Sequence, residues 1–221
     1  IGKLITDAFS TLKKITSDFE IIVVDDGSTD KSRKKLKKLS LKNKHIKLIF
    51  HQNNLGYGGA LRSGFNASTI ELVFYTDGDG QYDARELSVL YHLMTPDVDF
   101  VNGIKMSRHD PTYRIFIGNL YSFFARWFFF LPTYDVDCDF RLIRRKLVKK
   151  LDLECNSGAI CIELVKKSQR LGARFRQVSI HHFERKFGVS QFFRPDKILS
   201  TFKECTALWF ELMVLDKLFK R

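Results

Sequence analysis

The sequence of 221 residues predicts an α/β fold in which a mainly parallel sheet is flanked by helices and followed by a C-terminal amphipathic helix. Short β-branched runs alternate with segments of helical periodicity, the pattern of right-handed β-α-β units. Two of these runs end in acidic turns that contain glycine, and ligand clefts in open α/β sheets lie at that end of the strands. A hydrophobic fraction of 44% and a charged fraction of 28% suit a globular domain with a substantial core.

The first half of the chain alternates helices and strands. Apolar residues recur at helical spacing in some segments, whereas others are continuous apolar or β-branched runs. The predicted elements are a helix over 4–15, a strand over 20–24, a helix capped at Thr29 or Asp30, a strand over 46–50, a helix ending at Ala67, a strand over 72–75, a helix over 87–94 and a strand over 98–101.

The second half contains an aromatic segment over 113–134, which includes Phe123, Phe124 and the apolar run 127–131. Asn119 and Arg126 interrupt it, so a membrane span is not predicted, and a buried helix is favoured over an interfacial one. A strand over 140–143, a helix over 158–170 and a strand over 175–180 follow. Residues 195–221 place their apolar side chains along one helical stripe. We therefore predict one domain over 1–194 and a C-terminal amphipathic helix over 195–221.

The net charge of +12 favours an anionic partner. Many of the lysines lie in 31–38, which is typical of a solvated helix face, and no nucleic-acid-binding motif accompanies them, so nucleic acid is not expected as a partner. The four cysteines lack metal-ligand spacing and are interpreted as reduced, mostly core thiols of an intracellular protein. The sequence contains no apolar run of 18 residues and no pattern of a secretory signal.

The segment 75–83 is the most informative turn of the chain. Asp77 and Asp79 lie in it between glycines, directly after the apolar run 72–75. A carboxylate pair at the carboxyl end of a parallel strand can hold a hard divalent cation while leaving positions for water and substrate phosphates. The alternative interpretation is a surface turn, since Asp and Gly are common turn residues.

Five motifs occur in a fixed order along the chain. They are VVDDGSTD at 23–30, NLGYGGALRSGF at 54–65, YTDGDGQYD at 75–83, DVDCDFRLIRR at 135–145 and ERKFGVSQFF at 184–193. Together they resemble the inverting glycosyltransferases of family 2, which have the GT-A fold. Within that family the chain resembles the dolichyl-phosphate mannosyltransferase and polyprenyl-phosphate glycosyltransferase subgroup, from the first helix to about Leu215.

This resemblance implies a nucleoside-diphosphate-sugar donor and a divalent cation, Mg²⁺ or Mn²⁺. A cation on the diphosphate neutralises the charge of the leaving group. The implied metal ligands are Asp77, Asp79 and Gln81, with Asp79 also catalytic, and the implied donor-binding residues are Asp25, Asp26, Gly56, Arg62 and Asp77. Turn capping by the aspartate pair and a solvent-facing Arg62 remain alternatives.

The resemblance also implies a site for an acceptor phosphate. Arginines suit phosphate oxygens through paired hydrogen bonds, and Arg108, Arg114 and Arg185 match that role, with Arg185 also placed among the catalytic residues. A sugar hydroxyl needs a carboxylate base, whereas a lipid phosphate is already anionic. Asp135 matches an aspartate that recurs in the subgroup and is predicted as a catalytic carboxylate of the acceptor site. The chain lacks the Glu-Asp pair of hydroxyl-acceptor relatives and the Gln-x-x-Arg-Trp motif of processive synthases.

One departure from the family concerns the sheet. Family members begin with a strand and a Pro-x-Tyr-Asn-Glu-like turn, and this sequence begins within the helix that follows them. We therefore expect a truncated N-terminus and an unpaired slot in the sheet.

The expected activity is inverting transfer of a sugar to a polyprenyl or dolichyl phosphate. The expected location is cytoplasmic and peripheral, at the cytoplasmic face of a membrane, because the acceptor lies in a bilayer and the C-terminal stripe and positive charge suit its surface. Transfer to a sugar hydroxyl of a glycan or glycolipid is one alternative. A non-catalytic module that binds nucleotide sugars or a membrane surface is another.

Overall fold

The computed structural model describes residues 1–106, 112–185 and 194–215, without the side chains of Tyr113 and Arg114. Helices and strands alternate as predicted. The helices are α1 (Gly2–Ile15), α2 (Ser32–Lys42), α3 (Gly56–Ala67), α4 (Leu87–Leu93), α5 (Thr112–Phe129), α6 (Arg145–Val148), α7 (Ile160–Arg170) and α8 (Pro195–Trp209), the last continued by a π-helical turn, Phe210–Leu215. The strands are β1 (Ile21–Asp25), β2 (Ile46–Phe50), β3 (Leu72–Thr76), β4 (Phe100–Met106), β5 (Phe140–Arg144) and β6 (Phe175–His181).

The strands form two sheets. β1 and β2 are a parallel pair, and the larger sheet has the order β3-β5-β4-β6. β4 and β6 are parallel, whereas β5 runs antiparallel between β3 and β4. The predicted α/β class is confirmed, and the reversed strand is an addition to it. Its direction follows from where it starts: the Asp135 carboxylate, just before β5, accepts a hydrogen bond from the backbone N–H of Lys105 near the end of β4.

A cleft separates the two sheets. Within the described residues β1 and β3 do not pair with each other, and a space of about 750 Å³ lies between them. Both strands line it, together with apolar side chains of α1 that include Ile5 and Leu12.

A fully buried arginine ties three strands of the larger sheet together. Arg141 of β5 lies opposite Tyr75 of β3 and opposite Asn102 of β4. Its guanidinium donates to Asn102 Oδ1 at 2.7 Å, to the Tyr75 hydroxyl at 2.8 Å and to the carbonyl of Val136. These bonds satisfy the buried charge and fix the end of β3, from which the acidic turn leaves the sheet.

The C-terminal segment is an amphipathic helix, as predicted, and it packs on the domain. Leu208 and Leu212 are 3% exposed and belong to the main core, whereas Phe202 is 69% exposed. The indole N–H of Trp209 donates to the carbonyl of Phe128 at 3.1 Å, which joins the end of α8 to α5. The division at residue 194 stays a prediction.

The prediction that the aromatic segment forms a buried helix is wrong. In α5 the side chains of Phe123 and Trp127 are 61% and 69% exposed. Only the face that carries Ser122, Ala125 and Phe129 is buried, because the core covers one stripe of a helix and the aromatic residues extend beyond that stripe. Among the helices of the described residues, none combines the length and hydropathy needed to cross a membrane.

Candidate active site

The turn after β1 is built around two aspartates. Asp25 accepts hydrogen bonds from the backbone N–H of Ser28 at 3.1 Å and from Arg33 Nε at 2.6 Å. Burial opposes ionisation of Asp25, but these bonds outweigh it and lower its pKa. Asp25 therefore stays an anion that holds the turn, which agrees with the turn-capping alternative.

Asp26 organises the glycine-rich loop. Its carboxylate accepts from the backbone N–H groups of Leu55 at 2.8 Å and Gly56 at 2.9 Å, and Asp26 Oδ1 lies 2.7 Å from His51 Nδ1. His51 Nε2 lies 2.8 Å from the hydroxyl of Ser63 on α3. Donor binding by the two aspartates stays a prediction. Through its hydrogen bonds, Asp26 joins its own turn to the start of α3.

The start of α3 lies against the backbone of 154–156. Gly56 has φ +83°, and a Cβ there would lie 2.5 Å from the carbonyl oxygen of Asn156. Arg62 donates to the carbonyls of Glu154, at 2.7 Å, and Cys155. The prediction that Arg62 contacts the donor is untested, and its guanidinium binds this loop rather than projecting freely into solvent.

The acidic turn after β3 carries Asp77 and Asp79, and Asp139, just before β5, lies opposite it. The ladder of β3 and β5 ends with Thr76 opposite Phe140, so the next residues outward, Asp77 and Asp139, lie across from each other. Loss of hydration raises the pKa of Asp77 well above its usual range, and the charges of Asp139 and then Asp79 add to this effect. Like charges across a ladder are unfavourable without compensation. This is an environment that attracts a cation.

A second loop lies against this turn. Tyr82 forms an isolated antiparallel bridge with His182, and the Gln81 side-chain amide donates to the carbonyl of Phe183 at 3.1 Å. This pairing brings Arg185 to Asp79, with Nη2 and Oδ2 2.6 Å apart. The structure thus joins two residues that the sequence analysis placed in separate roles, one for the cation and one for the acceptor phosphate.

The residues of the turn fit a divalent cation whose coordination shell is completed by water and substrate. No three His, Cys, Asp or Glu side chains converge as metal ligands in the described parts of the chain. Mg²⁺ is commonly held by one or two carboxylates with water and substrate phosphates filling the other positions. Asp77 and Asp79 supply two carboxylates beside Gln81, and the excess negative charge at Asp77 and Asp139 is what such a cation would neutralise.

A smaller pocket of about 300 Å³ lies between the end of β4 and α5. Asp135 and Lys105 line it, and the Lys105 ammonium lies 3.5 Å from Asp135 Oδ1 and 3.0 Å from Asp137 Oδ2. Burial raises the pKa of Asp135 to about 6 against the opposing charge of Lys105. Arg126 also lines the pocket, with its guanidinium over the ring of Tyr134.

Sequence reasoning missed the positive charges of this pocket. Lys105 sits at a strand end and Arg126 in an aromatic helix, and neither carries a local motif. Only the fold brings Lys105 to Asp135, 30 positions further along the chain. Arg108 and the side chain of Arg114 lie outside the described residues. Asp135 lies in the pocket, as the acceptor-site prediction requires, and its role there is untested.

A family model of known proteins matches most of the chain. Residues 2–152 match the model described as glycosyl transferase family 2. The chain belongs to glycosyl transferase family 2. The match covers the three predicted donor-side motifs and Asp135, which confirms the family that the motifs indicated.

Among curated relatives, the chain is 28% identical over 190 residues to an undecaprenyl-phosphate 4-deoxy-4-formamido-L-arabinose transferase of Yersinia pestis (strain Pestoides F). A protein of the same name from Yersinia pseudotuberculosis serotype O:3 has the same identity. The alignment covers 86% of this chain and 57% of each relative. The chain therefore spans little more than half the length of the curated relatives it matches.

Solved structures of glycosyltransferases share the fold. Glucosyl-3-phosphoglycerate synthase from Mycobacterium tuberculosis, in complex with Mn²⁺, UDP-glucose and phosphoglyceric acid, superposes with a TM-score of 0.67 at 15% identity and covers 94% of this chain and 74% of its own. The mannosyltransferase PcManGT from Pyrobaculum calidifontis, in complex with GDP-mannose and Mn²⁺, has a TM-score of 0.61 at 18% identity, with 93% and 61% of the two chains covered. At these identities the likeness establishes the fold of this family 2 chain.

Proposed function

We propose that this chain is the catalytic domain of an inverting glycosyltransferase that moves a sugar from a nucleoside diphosphate to a polyprenyl phosphate. One observation carries the proposal: the segment 135–139 runs from the pocket beside β4, which Lys105 and Arg126 line, to the position opposite Asp77 after β3. In the proposed reaction the leaving group is a nucleoside diphosphate and the attacking group is a phosphate oxygen of the acceptor. The reaction therefore needs a site for each of the two phosphate groups, side by side. The name of the Yersinia relatives, which specifies undecaprenyl phosphate, supports this choice of acceptor.

On the donor side, Asp77, Asp79 and Gln81 would hold Mg²⁺ or Mn²⁺. When bound, the cation supplies a Lewis acid for the charge that develops on the departing diphosphate. The turn of Asp25 and Asp26 lies at the carboxyl end of β1, where a nucleotide would bind. The presence of Mn²⁺ in complexes of two proteins with this fold supports a divalent cation here.

On the acceptor side, the pocket contains two cationic side chains, Lys105 and Arg126, beside Asp135. Lys105 is held between Asp135 and Asp137 and is only 7% exposed in its side chain, so its ammonium is fixed in place. Arg126 and Arg185 would add guanidinium groups, and we retain Arg108 and Arg114 as proposed contacts of the phosphate. An anionic phosphate needs alignment behind the anomeric carbon more than it needs a base.

We also propose that the chain works at a membrane surface, peripherally and on the cytoplasmic side. The exposed aromatic residues of α5 and α8 adjoin, through the Trp209 contact with Phe128. Aromatic residues together with a net charge of +12 suit an anionic interface.

Transfer assays test the activity directly. The protein is incubated with UDP- or GDP-sugars, with short polyprenyl phosphates or free glycans, and with or without Mn²⁺. Arg185→Ala should reduce transfer to polyprenyl phosphate about 10- to 150-fold, the loss of one charge-assisted contact, with a much smaller effect on donor binding. The matched control is Arg85→Ala, whose guanidinium pairs with Asp83.

The outcomes separate the alternatives. Transfer to a free sugar hydroxyl, with none to the lipid phosphate, would overturn the acceptor assignment and make Asp135 the candidate base. Donor binding without any transfer would support a binding module instead of an enzyme.

A further inference from the structure

Arg185 forms an ion pair with Asp79, the carboxylate that the proposed cation would bind. Its guanidinium lies 2.6 Å from Asp79 Oδ2, while the other oxygen of Asp79 accepts a hydrogen bond from the backbone N–H of Gln81 at 2.9 Å. The side chains of Arg185 and Asp79 are 27% and 13% exposed, so the pair is partly shielded from water. Both oxygens of Asp79 therefore have protein partners.

The charge balance of the turn explains this contact. Asp77 lies across from Asp139 and two residues before Asp79, and a guanidinium is a cation with the geometry to bind a carboxylate strongly. The bridge between Tyr82 and His182 positions the loop of Arg185 through backbone atoms. A divalent cation on Asp79 Oδ2 would lie next to the guanidinium on the same oxygen, and the two positive charges would repel each other.

We propose that Arg185 is a placeholder cation: it neutralises Asp79 in the unloaded protein and is displaced when a divalent cation and donor bind. Once displaced, its guanidinium turns to the acceptor phosphate. Donor loading would thus precede productive acceptor binding. This regulation rests on the proposed function, because it assumes that Asp79 binds the cation and that Arg185 binds the acceptor.

If Arg185 competes with the cation for Asp79 Oδ2, removing the Arg185 side chain should raise the affinity for the cation. If Arg185 instead helped to hold the cation site in shape, its removal would not raise that affinity. Mn²⁺ binding is measured by titration with electron paramagnetic resonance of the free ion, in the presence and absence of UDP. Without the competing ion pair, Arg185→Ala should bind Mn²⁺ up to about fivefold more tightly than the wild type. Arg185→Lys keeps the charge and should fall between the two.

The control is Arg85→Ala, which removes a positive charge from the short helix just after the acidic turn and leaves the partners of Asp79 in place; Arg85 pairs with Asp83 and is 71% exposed in its side chain. Its Mn²⁺ affinity should stay within about twofold of the wild type. Equal or weaker Mn²⁺ binding by Arg185→Ala, relative to this control, would overturn the proposal.

Asp79→Ala separates the two levels of inference. If the wild type binds Mn²⁺ with UDP, Asp79→Ala does not, and Arg185→Ala shows no gain, the placeholder role fails while the cation site stands. If Asp79→Ala binds Mn²⁺ as the wild type does, the cation site itself is wrong, and the placeholder role with it.

Discussion

Gly58→Ala should disrupt the packing of α3 against the loop at 155–156. A Cβ at this position would lie 2.0 Å from the carbonyl oxygen of Cys155 and 2.9 Å from its carbonyl carbon. Because ordinary contacts of a Cβ begin near 3.4 Å, the backbone of the loop would have to withdraw by roughly 1.4 Å. The hydrogen bond from Gly58 N–H to the carbonyl of Asn156, now 2.9 Å, would be lost or strained.

The expected cost is the sum of opposing effects. Overpacking typically costs about 1–3 kcal/mol, and the lost hydrogen bond adds about 1 kcal/mol. The gain in helix propensity from glycine to alanine offsets about 1 kcal/mol of this. We therefore expect a net destabilisation of about 1–3 kcal/mol, equivalent to a fall in melting temperature of about 2–12 °C for a domain of this size.

The same helix offers a matched control. A Cβ on Gly64 would meet only the Val24 side chain at 3.6 Å, an ordinary contact. Gly64→Ala should therefore stabilise the protein by about 0.5–1 kcal/mol. Urea unfolding followed by circular dichroism measures both variants. A Gly58→Ala variant as stable as the wild type, or a Gly64→Ala variant that loses as much stability as Gly58→Ala, would refute a steric clash with the Cys155 carbonyl.

Three further outcomes follow from the site and the core. Asp79→Ala should abolish transfer and Mn²⁺-dependent donor binding in calorimetric titrations while circular dichroism shows an intact fold; unchanged Mn²⁺ dependence would contradict the assignment. Burial raises the pKa of Asp135 from its ordinary 3.8 to about 6, so the stability contributed by its protonated form is full below about 4 and lost as the pH rises through 6. Asp135→Asn should therefore flatten the fall in unfolding free energy between pH 4 and 7, and an unchanged slope would refute this. Trp127→Ser should weaken flotation of the protein with anionic liposomes at low salt, whereas Leu41→Ser, an 88% exposed residue of α2, should not; equal effects would exclude α5 as the membrane contact.

The C-terminal stripe in the sequence also predicts that deleting 196–221 lowers binding to anionic liposomes. Leu208 and Leu212 belong to the main core, so that deletion would expose apolar surface and disturb the fold. A point change on an exposed side chain tests the surface without this complication.

Those features that depend on a short-range sequence pattern could be predicted. The strands, the order of the elements and the acidic turn at 75–83 are all visible as local periodicity and composition, and the structure contains them at or near those positions, except that β4, predicted over 98–101, spans Phe100–Met106. The direction of β5 could not be predicted in this way, since it depends on a contact between Asp135 and Lys105 across 30 positions.

The contact between Asp79 and Arg185 could not be predicted either, because it also depends on residues far apart in the sequence. Asp79 and Arg185 meet through a bridge between two loops about 100 positions apart, and no spacing rule anticipates it. The exposure of α5 likewise depends on which stripe the core covers. An aromatic-rich sequence with few charges is compatible with either a buried or an interfacial helix.

The short segment 135–139 has a consequence for how substrate preference can change. Asp135 and Asp137 contact Lys105, and Asp139 lies opposite Asp77. In the proposed function, the separation between the donor site and the acceptor site is thus set by five residues of backbone that lead into a central strand. Changes in the loops around either end would alter the proposed contacts with sugar or lipid without moving this backbone, so the alignment of the attacking and leaving groups would be kept.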